Sequence, residues 1–505
     1  MISRRSLIRA GGGIVVAGAA VAAGTGPVLA AVDRWSSLRA GLQGDLFTPS
    51  DAGYDQAKQG QIVHYDALNP VAVAFCEIPE DVRLCVRFAE RHDIPLRVRS
   101  GGHNLNGWST GGGLVIDVSR ISHAVPAGST VHVGPGTQSV DALATLSPLN
   151  KQLITGTCPT VCAGGFVSGG GLGFQSRKFG TASDRVVSAR VVLADGRIVR
   201  CSPSSEPELF WAIRGGGGGN FGVVVDFEVR PIGAPRIVTY DTMWSWKNAA
   251  EVFSAWQQWT THASRNLGSS LIVLSPAASG GGTEPAIRIY GGYHGPKAEL
   301  DAALAELTQR TGVAPLSSTS SDEAFAEGMQ HLYGCGELTV PQCHRTGTTP
   351  DARLYRTPFQ MQSYRFSDRT ATAGEVDTLL STFVSDPSIA YQFIQVFALG
   401  GAVNDPSPGA SAYVHRSAQF LIGYQSSDTD PDPDAALLAK HTAWTDRATD
   451  ALAPLSGGAY INFPNSRVTE DWEALNYGSN ASRVRLAKRR YDPDGIFAHP
   501  GSIHV

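Results

Sequence analysis

The chain has 505 residues, more than a single hydrophobic core usually supports, so at least two domains are expected. With 42% hydrophobic and 17% charged residues and a net charge of −4, the composition is globular, and no basic block invites nucleic acid. Four methionines leave no Met-rich interaction surface.

At the N-terminus, Ser3-Arg4-Arg5-Ser6-Leu7 precedes an apolar, glycine- and alanine-rich run from Gly11 to Ala23, with small residues near Val28-Leu29-Ala30-Ala31. Paired arginines before a mild hydrophobic stretch read as a twin-arginine export signal over 1–31, which predicts a secreted protein. The run is too short and too rich in glycine to serve as a stable membrane span. Twin-arginine export moves folded proteins, which suits a cofactor inserted before secretion.

After a mixed segment, Ala72 to Arg99 reads as strand, helix, strand. Pro79 opens the helix, where its missing N–H costs nothing. Val82, Cys85, Val86 and Ala89 fall at helical spacing. The strand around Ile94 to Val98 delivers a first glycine-rich loop, Arg97 to Ser109, built around a single histidine, His103. Short apolar strands follow at 114–118 and 130–133, then a helical pattern at Val140, Leu143 and Leu146. A second glycine-rich loop, Gly156 to Gly180, holds Cys158. Val186 to Val199 has two alternating runs about Asp195-Gly196, a β-hairpin pattern. Arg214 and five glycines lead to Asn220-Phe221-Gly222 and a strand over 223–229.

Pro231 and Pro235 mark a boundary. Beyond it, helical patterns at 252–259, 300–307, 376–383 and 437–452 alternate with strand-like runs at 271–274, 286–290, 390–398, 419–425 and 459–463. Such an order predicts a sheet with helices on one face, the other face left free to roof a ligand.

Glycine-rich loops let backbone N–H groups converge into an anion cradle and let the backbone approach a flat ligand. A histidine in one loop and a cysteine in the other are both nucleophiles able to attach to an electrophilic cofactor. The seven cysteines are an odd number. Cys335 and Cys343 are near each other in the chain, but the pairing stays open. No CxxC pair repeats, which argues against a structural zinc site, and no metal is expected.

Four motifs stand in order: RSGGH ending at His103, GTCPTV around Cys158 with the following GGFVSGGGLG, RGGGGGNFG at 214–222, and YGSNASRVRLAKRRYDPDGIF from Tyr477 to Phe497. Together they resemble the berberine-bridge-enzyme-like, FAD-linked oxidases of the vanillyl-alcohol oxidase (PCMH) group, here as a bacterial secreted form. The resemblance implies an α+β fold. A two-part PCMH-type FAD-binding domain would cover 32–235. A substrate domain, an antiparallel sheet covered by helices on one face, would cover 236–468, and a segment at 469–505 would return to the FAD domain.

It further implies FAD held covalently by His103 and Cys158. Arg99, Ser100, Gly101, Gly102, Asn104 and Ser109 would cradle the pyrophosphate. Gly164, Gly165, Ser168, Gly169 and Gly171 would lie under the flavin, with Asn220, Gly222 and Val223 on its other side and Tyr477 and Asn480 reaching it from the tail. Val161 would border the flavin carbon that meets oxygen, and a small valine there resembles the oxygen-reactive members. The family's Tyr-x-Asn-Tyr stretch reads Tyr460-Ile461-Asn462-Phe463, so its second tyrosine is a phenylalanine that accepts no proton.

Tyr391 becomes the candidate base, sharing a strand face with Phe393 and Gln395, with Tyr460 and Tyr424 as fallbacks and Asn462 to orient substrate. Trp244, Trp246, Phe393 and Phe397 would stack on substrate, and His415-Arg416 would be structural. The implied activity is oxidation of a hydroxyl-bearing small molecule, a secondary metabolite or a sugar, with O2 as acceptor and H2O2 as product. Alternatives are an oxidative cyclase or dehydrogenase of natural-product biosynthesis, or a flavin-binding protein impaired in catalysis. No GxGxxG stands at a strand-to-helix turn, so a nicotinamide enzyme does not fit.

Overall fold

The computed structural model describes residues 26–278, 284–384, 389, 391–469 and 471–504, with the side chains of 26–33 left aside. The anticipated export signal lies outside the described residues up to position 25. Gly26–Gly41 is a helix that forms a unit of its own. No helix of the described residues is long and apolar enough to cross a membrane. Residues 42–505 form the second unit, and everything below concerns it.

Three sheets organise this unit. The strands Asp45–Phe47, Ala72–Phe75, Leu114–Asp117 and Leu96–Arg99 lie side by side in that order. The first pair is antiparallel and the others parallel. The helix Pro79–Arg91 makes the connection between two of them. Asp81 secures its start: its carboxylate accepts from the backbone N–H groups of Gln43 (2.8 Å), Gly44 (3.2 Å) and Glu77 (2.9 Å). Val82, Cys85, Val86 and Ala89 form its buried face, as their spacing predicts.

A five-stranded antiparallel sheet follows in the order Ala124–Ala127, Thr130–Val133, Val223–Val229, Val186–Val192 and Ile198–Cys201. The expected hairpin closes at Gly196, whose φ of +77° suits a residue without a Cβ.

The third sheet has seven antiparallel strands in the order Ser317–Ala324, Arg236–Ser245, Ala286–Tyr293, Leu267–Leu274, Tyr391–Ala398, Phe420–Asp428 and Phe359–Ser367. Its helix-covered face meets Ala249–His262, Lys297–Thr311, Ala373–Phe383 and Ala435–Leu452 in one apolar core. Along Tyr391–Ala398 the burial alternates strictly, with Gln392, Ile394, Val396 and Ala398 buried. Strand alternation thus assigns Tyr391, Phe393, Gln395 and Phe397 to the opposite face. Ala459–Phe463 is not a strand. It is a turn closed by the Phe463 N–H donating to the Tyr460 carbonyl at 2.9 Å.

The C-terminal helix Ala481–Tyr491 packs against the helix Pro207–Ala212 of the first half, tied by Arg483 to both oxygens of Glu208 at 2.8 and 2.9 Å. Cys335 and Cys343 form a disulfide with their Cα atoms 5.9 Å apart.

Candidate functional site

A cavity of about 310 Å³ lies between the two glycine-rich loops, the 214–222 run and the free face of the large sheet. Both loops bring their nucleophile to it. His103 and Cys158 line the cavity and meet at one hydroxyl: Thr160 Oγ1 lies 2.9 Å from His103 Nε2 and 3.6 Å from Cys158 Sγ.

Burial and the nearby Arg345 guanidinium push His103 down to about 4, so its imidazole is neutral at ordinary pH. Burial raises the Cys158 thiol, against hydrogen bonds from the Thr160 hydroxyl and the backbone N–H groups of Thr160 and Val161 that favour the thiolate. Cys162 also borders the cavity, but its thiol donates to the Gly136 carbonyl at 3.2 Å and is pushed well up by burial. It is the inert one of the two.

Ser100, Gly101, Gly102, Asn104, Ser109, Val161, Gly164, Gly165, Ser168 and Asn220 line the cavity, as do Tyr460 and Asn462. A Cβ on Gly165 would meet nothing of the protein within 4 Å, so that backbone faces the open space of the cavity directly.

Several anticipated contacts do not reach the lining. Arg99 is buried in an ion pair with Asp117, and its guanidinium also donates to the Lys58 and Ala57 carbonyls, away from the cavity. Gly169 and Gly171 serve the adjacent turn: a Cβ on Gly169 would stand 2.0 Å from Asn462 Oδ1, and the Gly171 N–H donates to Tyr460 at 3.1 Å. Gly222 sits at φ +145° with Val192 too close for any side chain, and Val223 opens the strand beside it. Tyr477 donates to the Gly216 carbonyl at 3.0 Å, and Asn480 donates to the carbonyls of Pro408 (2.8 Å) and Ser411 (3.0 Å). These two brace the site from behind.

Tyr391 is 36% exposed at the far end of its strand, outside the cavity. Six residues further along the same face, Phe397 lines it. At the rise of an extended chain that separation is about 20 Å, so the face was legible and the position along it was not. Tyr424 lies on the helix side, donating to the Leu379 carbonyl at 2.7 Å, and Trp244 belongs to the core beneath the sheet. Trp246 packs on Phe383, 6.0 Å between ring centroids. His415 and Arg416 are structural: His415 stacks on Phe366 at 4.1 Å, and Arg416 grips both oxygens of Asp184 at 2.7 and 2.8 Å.

The cavity roof is apolar. Phe397, Leu421 and Phe463 line it, the two phenylalanine rings 6.3 Å apart. Tyr460 is the titratable group of the Tyr460–Phe463 turn. Its oxygen accepts from Gly171 N and from Asn462 Nδ2, each at 3.1 Å, and burial pushes its hydroxyl up to about 12. At the other end, Trp108 stacks on His499 with centroids 5.4 Å apart. Neither Thr160 nor the Trp108–His499 pair was anticipated; for Thr160 the signal was its place inside the CPT triplet.

A glycine-lined slot with an imidazole and a thiol brought to one point suits FAD, the cofactor of an FAD-dependent oxidoreductase. Residues 70–202 match the family model of the FAD binding domain, and residues 459–504 match the model described as berberine and berberine like. The chain is 29% identical over 493 residues to the (R)-6-hydroxynicotine oxidase of Paenarthrobacter nicotinovorans, covering 92% of this chain and 97% of that one. It is 27% identical over 475 residues to the chitooligosaccharide oxidase of Gibberella zeae, covering 90% and 92%. The fold is shared with the glucooligosaccharide oxidase of Acremonium strictum, a protein with a 6-S-cysteinyl, 8α-N1-histidyl FAD, at TM-score 0.80 and 24% identity over 93% of this chain and 99% of that one. The chain belongs to the berberine-bridge-enzyme-like FAD-linked oxidoreductases.

Proposed function

We propose that this protein is an exported oxidase that holds FAD through both His103 and Cys158 and oxidises a small hydroxyl-bearing molecule, a secondary metabolite or a sugar. The observation that carries the reading is the convergence of His103 and Cys158, 55 positions apart in the chain and both lining the cavity, on the one Thr160 hydroxyl. Bound FAD supplies a hydride acceptor that passes its electrons to O2, giving H2O2. Small Val161 at the lining leaves room for oxygen.

Tyr460 is the group best placed to handle the substrate proton. Both donors on its oxygen stabilise the phenolate, and its own O–H is left to meet the substrate. Asn462 fixes that geometry by also donating to the Phe166 carbonyl at 3.0 Å. Phe397, Leu421 and Phe463 select for an apolar or aromatic face on the substrate, which favours a secondary metabolite over a bare sugar.

A second reading rests on the same roof. With the Tyr460 hydroxyl at about 12, a substrate whose reacting carbon bears an uncharged amine fits without any protein base, because the nitrogen lone pair enters the new C=N bond. The kinship with (R)-6-hydroxynicotine oxidase supports it.

The test is a screen of aromatic secondary alcohols, oligosaccharides and aromatic amines, following H2O2 release, with the protein denatured in acid alongside. Peroxide with an alcohol, and yellow colour that stays with the polypeptide, support the first reading. Turnover of amines alone would transfer the function to the second.

A further inference from the structure

We propose that Thr160 is the positioning residue for covalent flavin attachment, its one hydroxyl setting the tautomer of His103 and holding the sulfur of Cys158. The inference rests on the reading that both residues attach to FAD.

Thr160 Oγ1 is buried, and its partners are His103 Nε2 at 2.9 Å and Cys158 Sγ at 3.6 Å. A hydroxyl has one proton to give and lone pairs to receive. A neutral imidazole carries one N–H. With that proton on Nε2, Nε2 donates to Thr160, and Nδ1 keeps a lone pair. The Thr160 proton then points to Cys158 Sγ, where it favours the thiolate. One ordered chain, Nε2–H to Oγ1–H to Sγ, therefore prepares a nucleophilic nitrogen and a nucleophilic sulfur together. Arg345 reinforces it, since a guanidinium near His103 opposes the imidazolium, which has no lone pair to offer.

Each attachment exchanges one C–H of the cofactor and one N–H or S–H of the protein for a C–N or C–S bond. Two electrons and two protons leave, and O2, the acceptor of the oxidase reaction, takes them as H2O2. At His103 the departing proton is the one on Nε2, so Thr160 is also its exit. Once Nδ1 is substituted, Nε2 becomes an acceptor and the Thr160 hydroxyl turns to donate to it. Serine preserves both roles and valine neither.

The experiment is peptide mapping by mass spectrometry of acid-quenched wild type, Thr160→Val and Thr160→Ser. Expected are wild-type peptides with flavin on both His103 and Cys158, at least a tenfold drop of the His103 linkage in Thr160→Val, and recovery in Thr160→Ser. Flavin released by acid from Thr160→Val would show that the variant folds and binds it. Full attachment at both residues in Thr160→Val overturns the proposal. So does attachment of wild-type His103 through Nε2, read by NMR of the flavin peptide, a result independent of whether any variant folds. Wild type with no covalent flavin would instead overturn the underlying reading of the site.

Discussion

Lys488 and Asp492 form an ion pair of 2.6 Å with both side chains essentially out of contact with solvent. The same ammonium donates to the carbonyls of Asn220 (2.8 Å) and Phe497 (2.7 Å), so one buried cation ties the C-terminal helix to the glycine run that borders the cavity. Asn220 returns the tie from its own side chain, its Oδ1 accepting from the Ile503 N–H at 3.3 Å.

Removing one member of such a pair leaves a buried charge without its partner. Lys488→Ala is expected to destabilise by about 3–5 kcal/mol, read by urea unfolding, and to lower the flavin content of the purified protein. Lys488→Met with Asp492→Asn should recover part of the loss, because the stranded charge is gone.

Tyr460→Phe removes the hydroxyl that the Tyr460–Phe463 turn brings to the cavity. With an alcohol substrate, kcat/KM should fall about 100-fold or more at unchanged flavin content. With an amine the change should stay within about threefold, since no proton need leave. Equal losses on both would assign Tyr460 to packing alone.

Val161→Leu is expected to slow reoxidation by O2 while leaving anaerobic bleaching by substrate at its original rate. Stopped-flow measurement of the two half-reactions separates them. If the oxygen reaction is unaltered, Val161 does not govern oxygen access.

Two buried imidazoles contribute to acid stability. Burial lowers His294 and His415 to about 4, below the ordinary value of 6.5. The unfolded chain therefore binds these protons at higher pH than the folded one. Stability should be full above pH 6.5 and fall as pH drops toward 4, by up to about 1.4 kcal/mol per pH unit for each histidine.

His294 offers the cleanest probe. Neither ring nitrogen has a hydrogen-bond partner among the described residues, and the ring lies between Phe179 and Phe325. His294→Phe should add about 1 kcal/mol at neutral pH and more at pH 5, flattening the acid limb of the unfolding curve.

Much of this was legible in the chain because its signals are local. Helical spacing located Pro79–Arg91, and the alternation within Tyr391–Ala398 identified which face meets the helices. Ser317–Ala324 escaped notice because an edge strand of serines, threonine and acidic residues shows no apolar alternation. Ala459–Phe463 misled in the opposite way: its apolar residues face the cavity and the adjacent core from a turn, with no ladder to join. Arg99 ends the strand that leads into the lining loop, but its long side chain turns to Asp117, a partner set by parallel strand pairing.

Residue order alone determined the glycine loops, the identity of His103 and Cys158, and the kinds of element that carry them, since each depends on neighbours a few positions away. Tertiary structure decided that both nucleophiles share Thr160, that Phe397 rather than Tyr391 meets the cavity, and that Tyr460 receives two N–H donors. Those facts are distances between segments remote in the chain. Only the packing of the sheets and the return of the tail sets them.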